Sequence, residues 1–171
     1  MGDNRSFVFN NNDFSTLLNK PEIREIIINN LEVTSDDLNV INRHGKIEII
    51  NFNFCNIVDD NISFVAPLNQ LILAYTTVDL NAINGLYSLK ELEIVNDEED
   101  EVEIDINELL KFKNLETLRI YNSKVINAKE LNSFQNLKEL YLDGSIVDEK
   151  DLASILGDNI SISHNEEYLF N

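Results

Sequence analysis

Pairs of apolar residues separated by one variable residue recur along the chain at a nearly constant interval. This alternation has a period of two, so it predicts short β-strands whose paired side chains point to the same side. The first members of successive pairs are 21, 24, 21, 26, 22 and 20 residues apart. We therefore expect seven repeats with one strand each, preceded by a capping strand at Phe7–Phe9. The pairs are Ile26/Ile28, Ile47/Ile49, Leu71/Leu73, Leu92/Ile94, Leu118/Ile120, Leu140/Leu142 and Ile160/Ile162.

Four of the pairs are preceded at a fixed distance by another leucine, which gives L-x-x-L-x-L or L-x-x-L-x-I. The four runs are Leu68–Leu73, Leu89–Ile94, Leu115–Ile120 and Leu137–Leu142. Repeats of about 20 to 29 residues with this core resemble the leucine-rich repeat family. The resemblance implies an α/β fold: a leucine-rich repeat solenoid of about seven to eight repeats, with a parallel concave sheet and short helices or turns on the convex side. It covers residues 23–162 and leaves 1–22 as an N-terminal capping segment and 163–171 as a C-terminal cap or tail of a single domain.

One position departs from the family pattern. The family usually places Asn or Cys three residues after the last core leucine, where the side chain bonds to backbone in a ladder. Thr and Ser could replace them in this chain, but Leu31 and Phe52 cannot form hydrogen bonds through their side chains. The first two repeats are therefore expected to be irregular. The residues at this position are Leu31, Phe52, Thr76, Asp97, Ser123 and Ser145.

Two segments between the strands carry helix-start signals. Ser35–Ile41 predicts a short helix with Ser35 as its N-cap. Asn127 and Glu130 have the spacing of a capping box, with Leu131 and Phe134 following at helical spacing. Short helices or helical turns are therefore expected between the strands.

The charge of the chain is strongly negative. It has 31 acidic and 13 basic residues, a formal net charge of −18 and an isoelectric point near 4.2. Such a field repels nucleic acid and anionic membranes and attracts basic proteins or cations, although it also serves simply to keep a protein soluble. We therefore expect a protein partner that is basic, and no direct binding of nucleic acid or membrane.

The longest interval between pairs contains five successive carboxylates. They cannot pack as a strand, so we expect an acidic loop after the fourth repeat strand. A solvated turn is the favoured interpretation, with a contact to a basic partner or a weak calcium site as alternatives. The run lacks the spacing and central glycine of an EF-hand. The five residues are Asp97, Glu98, Glu99, Asp100 and Glu101.

Cysteine usage and the N-terminus favour a cytoplasmic protein. A single cysteine, Cys55, excludes an intramolecular disulfide framework and fits a reducing compartment. The first residues lack the charged-then-apolar pattern of a signal peptide. No apolar stretch approaches the roughly 18 residues that could cross a bilayer.

The sequence contains no recognisable arrangement for catalysis. The two histidines, His44 and His164, are far apart and have neither metal nor nucleophile spacing; His44 is expected at the first leucine position of its repeat. Phosphate-binding, zinc-protease and nucleophile-elbow motifs do not occur, and glycine totals only five. We therefore expect a non-enzyme without cofactor or metal site.

A binding surface is expected on the concave sheet, where outward side chains of neighbouring strands form columns. These columns carry tyrosines and β-branched residues, which favour either a protein interface or simple strand packing. The first hypothesis is a protein–protein interaction module that binds its partner on the concave face. The alternative is a small acidic inhibitor, of the immunity or phage anti-defence (anti-CRISPR) type, that mimics nucleic acid and blocks a basic nucleic-acid-binding enzyme. The candidate partner-binding residues are Ile72, Tyr75, Glu93, Val95, Arg119, Tyr121 and Tyr141.

Overall fold

The computed structural model describes residues 5–59, 61–65, 67–155 and 161–163. The chain falls into two compact units, unit 1 (Met1–Leu89) and unit 2 (Lys90–Asn171). Among the described residues each unit has four long strands that run parallel: the capping strand and three repeat strands in unit 1, and four repeat strands in unit 2. The period of the sequence predicts this arrangement. Within the described residues, no helix is both long and apolar enough to cross a membrane.

In the described part of unit 1 there are eight strands, four of them long. They are β1 (Ser6–Phe9), β2 (Glu25–Asn29), β3 (Glu32–Val33), β4 (Ile49–Asn53), β5 (Asn56–Ile57), β6 (Ile62–Ser63), β7 (Gln70–Ala74) and β8 (Ile83–Asn84). The long strands lie in the order β1-β2-β4-β7, and β3-β5 and β6-β8 form two small parallel pairs between the repeats. Its helices are α1 (Ser35–His44) and two 3-10 helices, Phe14–Asn19 and Leu80–Ala82.

Helix α1 begins one residue earlier than the sequence suggests. Thr34, which has extended backbone, is the N-cap: its hydroxyl accepts from the Asp37 N–H, and the Asp37 carboxylate accepts from the Thr34 N–H at 3.0 Å. This reciprocal capping box satisfies two backbone donors at once. The prediction that Ser35 is the N-cap is wrong. Ser35 could not form a capping box, because the residue three positions later is Leu38, whose side chain cannot accept a hydrogen bond. His44 is the last residue of this helix and does not hold a core leucine position.

The second repeat uses a different register from the predicted one. Strand β4 aligns Ile50 with Ile26 and Leu71, so Ile50 and Phe52 are its inward pair, both fully buried. The predicted pair Ile47/Ile49 is therefore wrong. Ile47 is buried at the first apolar position of the repeat, and Ile49 points outward and is half-buried.

The corrected register gives unit 1 a regular hydrogen-bond ladder. Cys55, and not Phe52, lies three residues after the last core residue of its repeat, and its buried thiol donates to the Ile28 carbonyl at 3.2 Å. In the next repeat the Thr76 hydroxyl donates to the equivalent Phe52 carbonyl at 3.1 Å. The second repeat is thus regular at this position, and Cys55 has a structural role there.

The described residues of unit 2 form seven strands. They are β9 (Glu91–Val95), β10 (Glu103–Asp105), β11 (Thr117–Tyr121), β12 (Lys124–Ile126), β13 (Glu139–Tyr141), β14 (Ile146–Val147) and β15 (Ser161–Ser163). The long strands lie in the parallel order β9-β11-β13-β15, and β10-β12-β14 form a second parallel sheet. The helices are α2 (Ile106–Leu109), α3 (Glu149–Ile155) and the 3-10 helix Ala128–Ser133.

The core of unit 2 follows the predicted leucines, and its ladder uses serines. Leu92, Leu118 and Leu140 are in register and fully buried. The Ser145 hydroxyl donates to the Ile120 carbonyl at 3.0 Å, which is the same connection that Cys55 makes in unit 1. At the corresponding place of the preceding repeat, Ser123 donates to the Tyr121 carbonyl at 3.0 Å.

Two local predictions for unit 2 are corrected. Ile162 aligns with Leu140, so it holds the first core position of the last repeat and not the second; its predicted companion Ile160 lies outside the described residues. Asn127 has a left-handed backbone with φ 55° and its side chain makes no capping bond, so the predicted capping box does not form. Its amide instead donates to the Asp105 carboxylate at 2.9 Å.

The register of β4 can be tested by two neighbouring alanine variants. Ile50→Ala removes a fully buried side chain, so it should lower the free energy of unfolding by roughly 2–5 kcal/mol. Ile49→Ala changes a half-buried, outward side chain of the same size, so its loss should be clearly smaller, about 1 kcal/mol. Denaturant melts of both variants provide the measurement. Equal losses, or a larger loss for Ile49→Ala, would contradict the register.

Candidate functional site

The outward side chains of β9, β11 and β13 form one surface of unit 2, which we call the unit 2 face. The strand register places them in three rows that run across the strands. Because neighbouring strands are about 4.8 Å apart, side chains in one row can contact each other. The rows are Glu91–Thr117–Glu139, Glu93–Arg119–Tyr141 and Val95–Tyr121.

Arg119 is the basic residue of the unit 2 face and is held in place by two contacts. Its Nη1 lies 3.3 Å from Oε2 of Glu91, and its guanidinium carbon lies 5.1 Å from the centre of the Tyr141 ring. The face therefore already contains an arginine that stacks on a tyrosine and pairs with a carboxylate. Since Glu91, Glu93 and Glu139 outnumber this single cation, the face keeps a net negative charge.

The two tyrosines of the unit 2 face both lie near carboxylates. Burial, together with the negative charge of Glu93, raises the pKa of Tyr121 above its usual value. The Tyr141 hydroxyl donates to Oε2 of Glu139 at a long distance of 3.4 Å. Large amphipathic rings beside carboxylates suit the recognition of guanidinium and ammonium groups.

A cluster of charges lies on the residues that directly precede the three strands. The Glu116 carboxylate sits between Lys90 and Lys138, with Nζ to Oε distances of 3.0 Å and 2.5 Å. Hydrogen bonds from Lys138 and then Lys90 lower the pKa of Glu116 to about 2. The cluster fixes the charge pattern at one edge of the unit 2 face.

Two candidate residues predicted from the sequence, Ile72 and Tyr75, lie in unit 1. Ile72 lies in β7 and Tyr75 directly follows it. Strand β7 pairs with β4, and β4 pairs with β2. The outward side chains of these three strands form a second surface, which we call the unit 1 face. Its members are Glu25, Ile27, Asn29, Ile49, Asn51, Asn53, Gln70, Ile72 and Ala74.

Tyr75 stacks on an aromatic residue that the sequence analysis missed. Its ring lies 4.7 Å from that of Phe54, with an angle of 9° between the ring planes. We call Phe54 and Tyr75 the aromatic pair. With Ile47/Ile49 assigned as the core pair, the residue equivalent to Tyr75 would be Asn51, so Phe54 was not recognised as its neighbour. Aligning Phe52-Asn53-Phe54 with Leu73-Ala74-Tyr75 would have revealed it.

The acidic loop of unit 2 forms a hydrogen-bonded turn. Asp97 accepts from the Glu99 N–H through its side chain at 3.1 Å and from the Asp100 N–H through its carbonyl at 3.2 Å. Residues 97–101 are all exposed. In the part of the chain that the structure describes, no three His, Cys, Asp or Glu side chains are grouped closely enough to hold a metal ion.

Comparison with known proteins identifies a fold and no closer relative. No protein-family model matches the chain, and a search of curated proteins finds no match. Among solved structures, the chain is similar to internalin C2 from Listeria monocytogenes, with 20% identity and a TM-score of 0.52 over 87% of this chain and 74% of that protein. A second internalin from the same species, InlF, gives 17% identity and a TM-score of 0.51 over 88% of this chain. The chain spans 50% of that InlF structure.

These similarities, together with one parallel strand per repeat, confirm the predicted fold class. The chain folds as an α/β solenoid of the leucine-rich repeat type. At this level of identity the similarity concerns the fold alone.

The charge cluster predicts an unusually acidic Glu116. Its pKa should be about 2, compared with a usual value of 4.5, and Lys138→Ala should raise this pKa because the hydrogen bond from Lys138 is lost. The depressed pKa means that the contribution of Glu116 to stability is present above about pH 4.5 and is lost as pH falls towards 2. NMR titration of the side-chain carboxyl carbons measures both values. An ordinary pKa for Glu116 in the unaltered protein would contradict the cluster.

Proposed function

We propose that this protein is a non-catalytic protein-interaction module that binds a basic segment of a partner protein on the unit 2 face. We further propose that it does so in the cytoplasm without a cofactor. The support is the combination of Tyr121 and Tyr141 with an excess of carboxylates on a surface made by regular strands. Because the strands are held by a buried core, the side chains are presented on a rigid base.

The charge of unit 2 supports a basic partner. Unit 2 has 20 acidic and eight basic residues, a net of −12, whereas unit 1 has 11 acidic and five basic residues, a net of −6. The larger excess of acidic residues therefore lies in unit 2, the unit that contains Tyr121 and Tyr141. Such a field increases the rate at which a basic partner associates, and the tyrosines then limit dissociation.

The contact between Arg119 and Tyr141 indicates how a partner side chain would bind. A guanidinium already lies 5.1 Å from the centre of this ring and pairs with Glu91. In the adjacent row Tyr121 lies beside Glu93 and offers the same combination of ring and carboxylate. We expect a lysine or arginine of the partner to occupy this place, with Val95 supplying apolar contact.

The tyrosines provide the first test. The partner is isolated from lysate of the native host by affinity capture and identified by mass spectrometry. Its affinity for the double variant Tyr121→Ala/Tyr141→Ala should fall by about 2 kcal/mol or more, because truncation of interface tyrosines has effects of this size. Isothermal titration calorimetry measures the loss. The melting temperature should change little because both side chains face outward.

Tyr87 provides the matched control. It is a tyrosine of unit 1 that is 83% exposed, so Tyr87→Ala should leave the affinity unchanged. Unchanged affinity for the double variant, or an equal loss for Tyr87→Ala, would contradict a binding site on the unit 2 face.

Salt and nucleic acid distinguish this module from a nucleic-acid mimic. The Debye length falls from about 10 Å at 0.1 M salt to about 3 Å at 1 M, so binding that depends mainly on carboxylates would weaken steeply. A site with tyrosine anchors should lose affinity only modestly, through slower association. Surface plasmon resonance across this salt range, with DNA or RNA as competitor, provides the measurement. We expect no displacement by either nucleic acid.

Neutralising the acidic loop tests how much its negative charge contributes to the association rate. The variant changes Asp97 and Asp100 to Asn and Glu98, Glu99 and Glu101 to Gln. It should slow association without altering dissociation. Complete displacement of the partner by nucleic acid at physiological salt would instead favour the inhibitor alternative.

A further inference from the structure

We propose that the unit 1 face and the aromatic pair together bind an uncharged, extended and mainly apolar segment of a partner protein. This inference rests on the proposed function, namely that the chain binds a protein, and it assigns a chemistry to a surface different from the unit 2 face. Three observations on unit 1 support it: backbone strain, ring exposure and the lack of charge.

The backbone of the aromatic pair adopts a conformation that bulky residues avoid. Phe54 and Tyr75 have φ values of 52° and 51°, in the left-handed region. They follow β4 and β7 directly. The equivalent turn positions of other repeats hold Asn30, Asn122 and Gly144, which are residue types that tolerate this region. Several repeats therefore use a left-handed residue here, and Asn30, Asn122 and Gly144 show that it need not be aromatic.

Packing within the protein does not explain the two aromatic rings. Phe54 is 58% exposed and Tyr75 is 42% exposed. Their mutual stacking fixes the orientation of both rings and leaves apolar surface open to solvent. Strained residues that are also exposed indicate a role in binding and not in folding.

The unit 1 face next to the pair is almost free of charge. Its ionisable side chain is Glu25, and the remaining members are asparagines, a glutamine, an alanine and isoleucines. Ile27, Ile49 and Ile72 are half-buried and keep part of their apolar surface accessible. A charged side chain placed on these isoleucines would lose its hydration without gaining a counter-charge. The complement of this surface is therefore an uncharged segment.

Asn51 lies at the centre of this surface, and its side-chain oxygen is not presented to a partner. It lies between Ile27 and Ile72 in the strand register, and its buried Oδ1 has no hydrogen-bond partner among the described residues. Because this oxygen is shielded by the protein itself, the row presents mainly the accessible apolar surface of Ile27 and Ile72. Side chains of an extended segment would pack on these isoleucines.

The test uses soluble peptides of defined composition as probes. An array of short N-acetylated peptides contains an uncharged set built from Leu, Val, Pro, Thr and Asn, with matched basic and acidic sets in which two residues are changed to Arg or Glu. Members of the uncharged set should bind the full chain. Phe54→Asn/Tyr75→Asn should weaken this binding by about 10-fold or more, as the loss of central aromatic contacts does. Tyr87→Ala is the control and should bind as the unaltered protein does.

Thermal unfolding of the same variant separates binding from folding. Asparagine occupies this position in two other repeats, so the melting temperature of Phe54→Asn/Tyr75→Asn should stay the same or rise. A clear fall in melting temperature would show that the pair is structural and would overturn the inference. Undiminished binding of the uncharged set by this variant would overturn it as well.

The array also distinguishes failure of this inference from failure of the proposed function. Binding of the basic set alone, lost in Tyr121→Ala/Tyr141→Ala, would overturn the inference and leave the proposed function standing. A chain that binds no set would contradict both.

Discussion

The structure depends on keeping the inward apolar residues of successive parallel strands in register. A single repeat is too small to bury its own apolar side chains, and each is covered only by the equivalent residues of its neighbours. Ile26, Ile50 and Leu71 show this in unit 1, and Leu92, Leu118 and Leu140 show it in unit 2. A slip of one residue would turn every inward side chain outward. The Cys55, Thr76 and Ser145 side chains reinforce the same alignment by bonding to the preceding repeat.

The fold could be predicted wherever leucine marked the inward positions. The four leucine motifs fixed the strands around Leu71, Leu92, Leu118 and Leu140 correctly. In the segment from Ile47 to Phe52, apolar residues at 47, 49, 50 and 52 fit two registers equally well. Only pairing of β4 with β2 and β7 distinguishes them, and that information is not local. The misplaced Ile162 has the same origin, because an Ile-x-Ile run fits two alignments with the strand before it.

The sequence predicts which residues lie in the outward-facing columns, but it does not predict the contacts that their side chains make. Outward positions such as Glu93, Arg119 and Tyr141 follow from the period of two once the core pair is known. The ion pair of Arg119 with Glu91 and its stacking on Tyr141 depend on side-chain conformations that the spacing does not determine. Phe54 was missed because the error in register moved it out of its column. A backbone in the left-handed region, which marks Phe54 and Tyr75, has no sequence signal when the residue is aromatic.

The left-handed residue that closely follows β2, β4, β7, β11 and β13 has a consequence for how this protein can diversify. Its side chain projects from a turn whose geometry is set by backbone hydrogen bonds, such as that from the Phe54 N–H to the Ala74 carbonyl. The residue type there can therefore vary without disturbing the buried core, as Asn30, Phe54 and Gly144 illustrate. Asn30, Phe54 and Tyr75 thus mark sites in unit 1 at which the surface chemistry changes while the fold stays intact. Binding specificity can therefore change at one repeat without altering its neighbours.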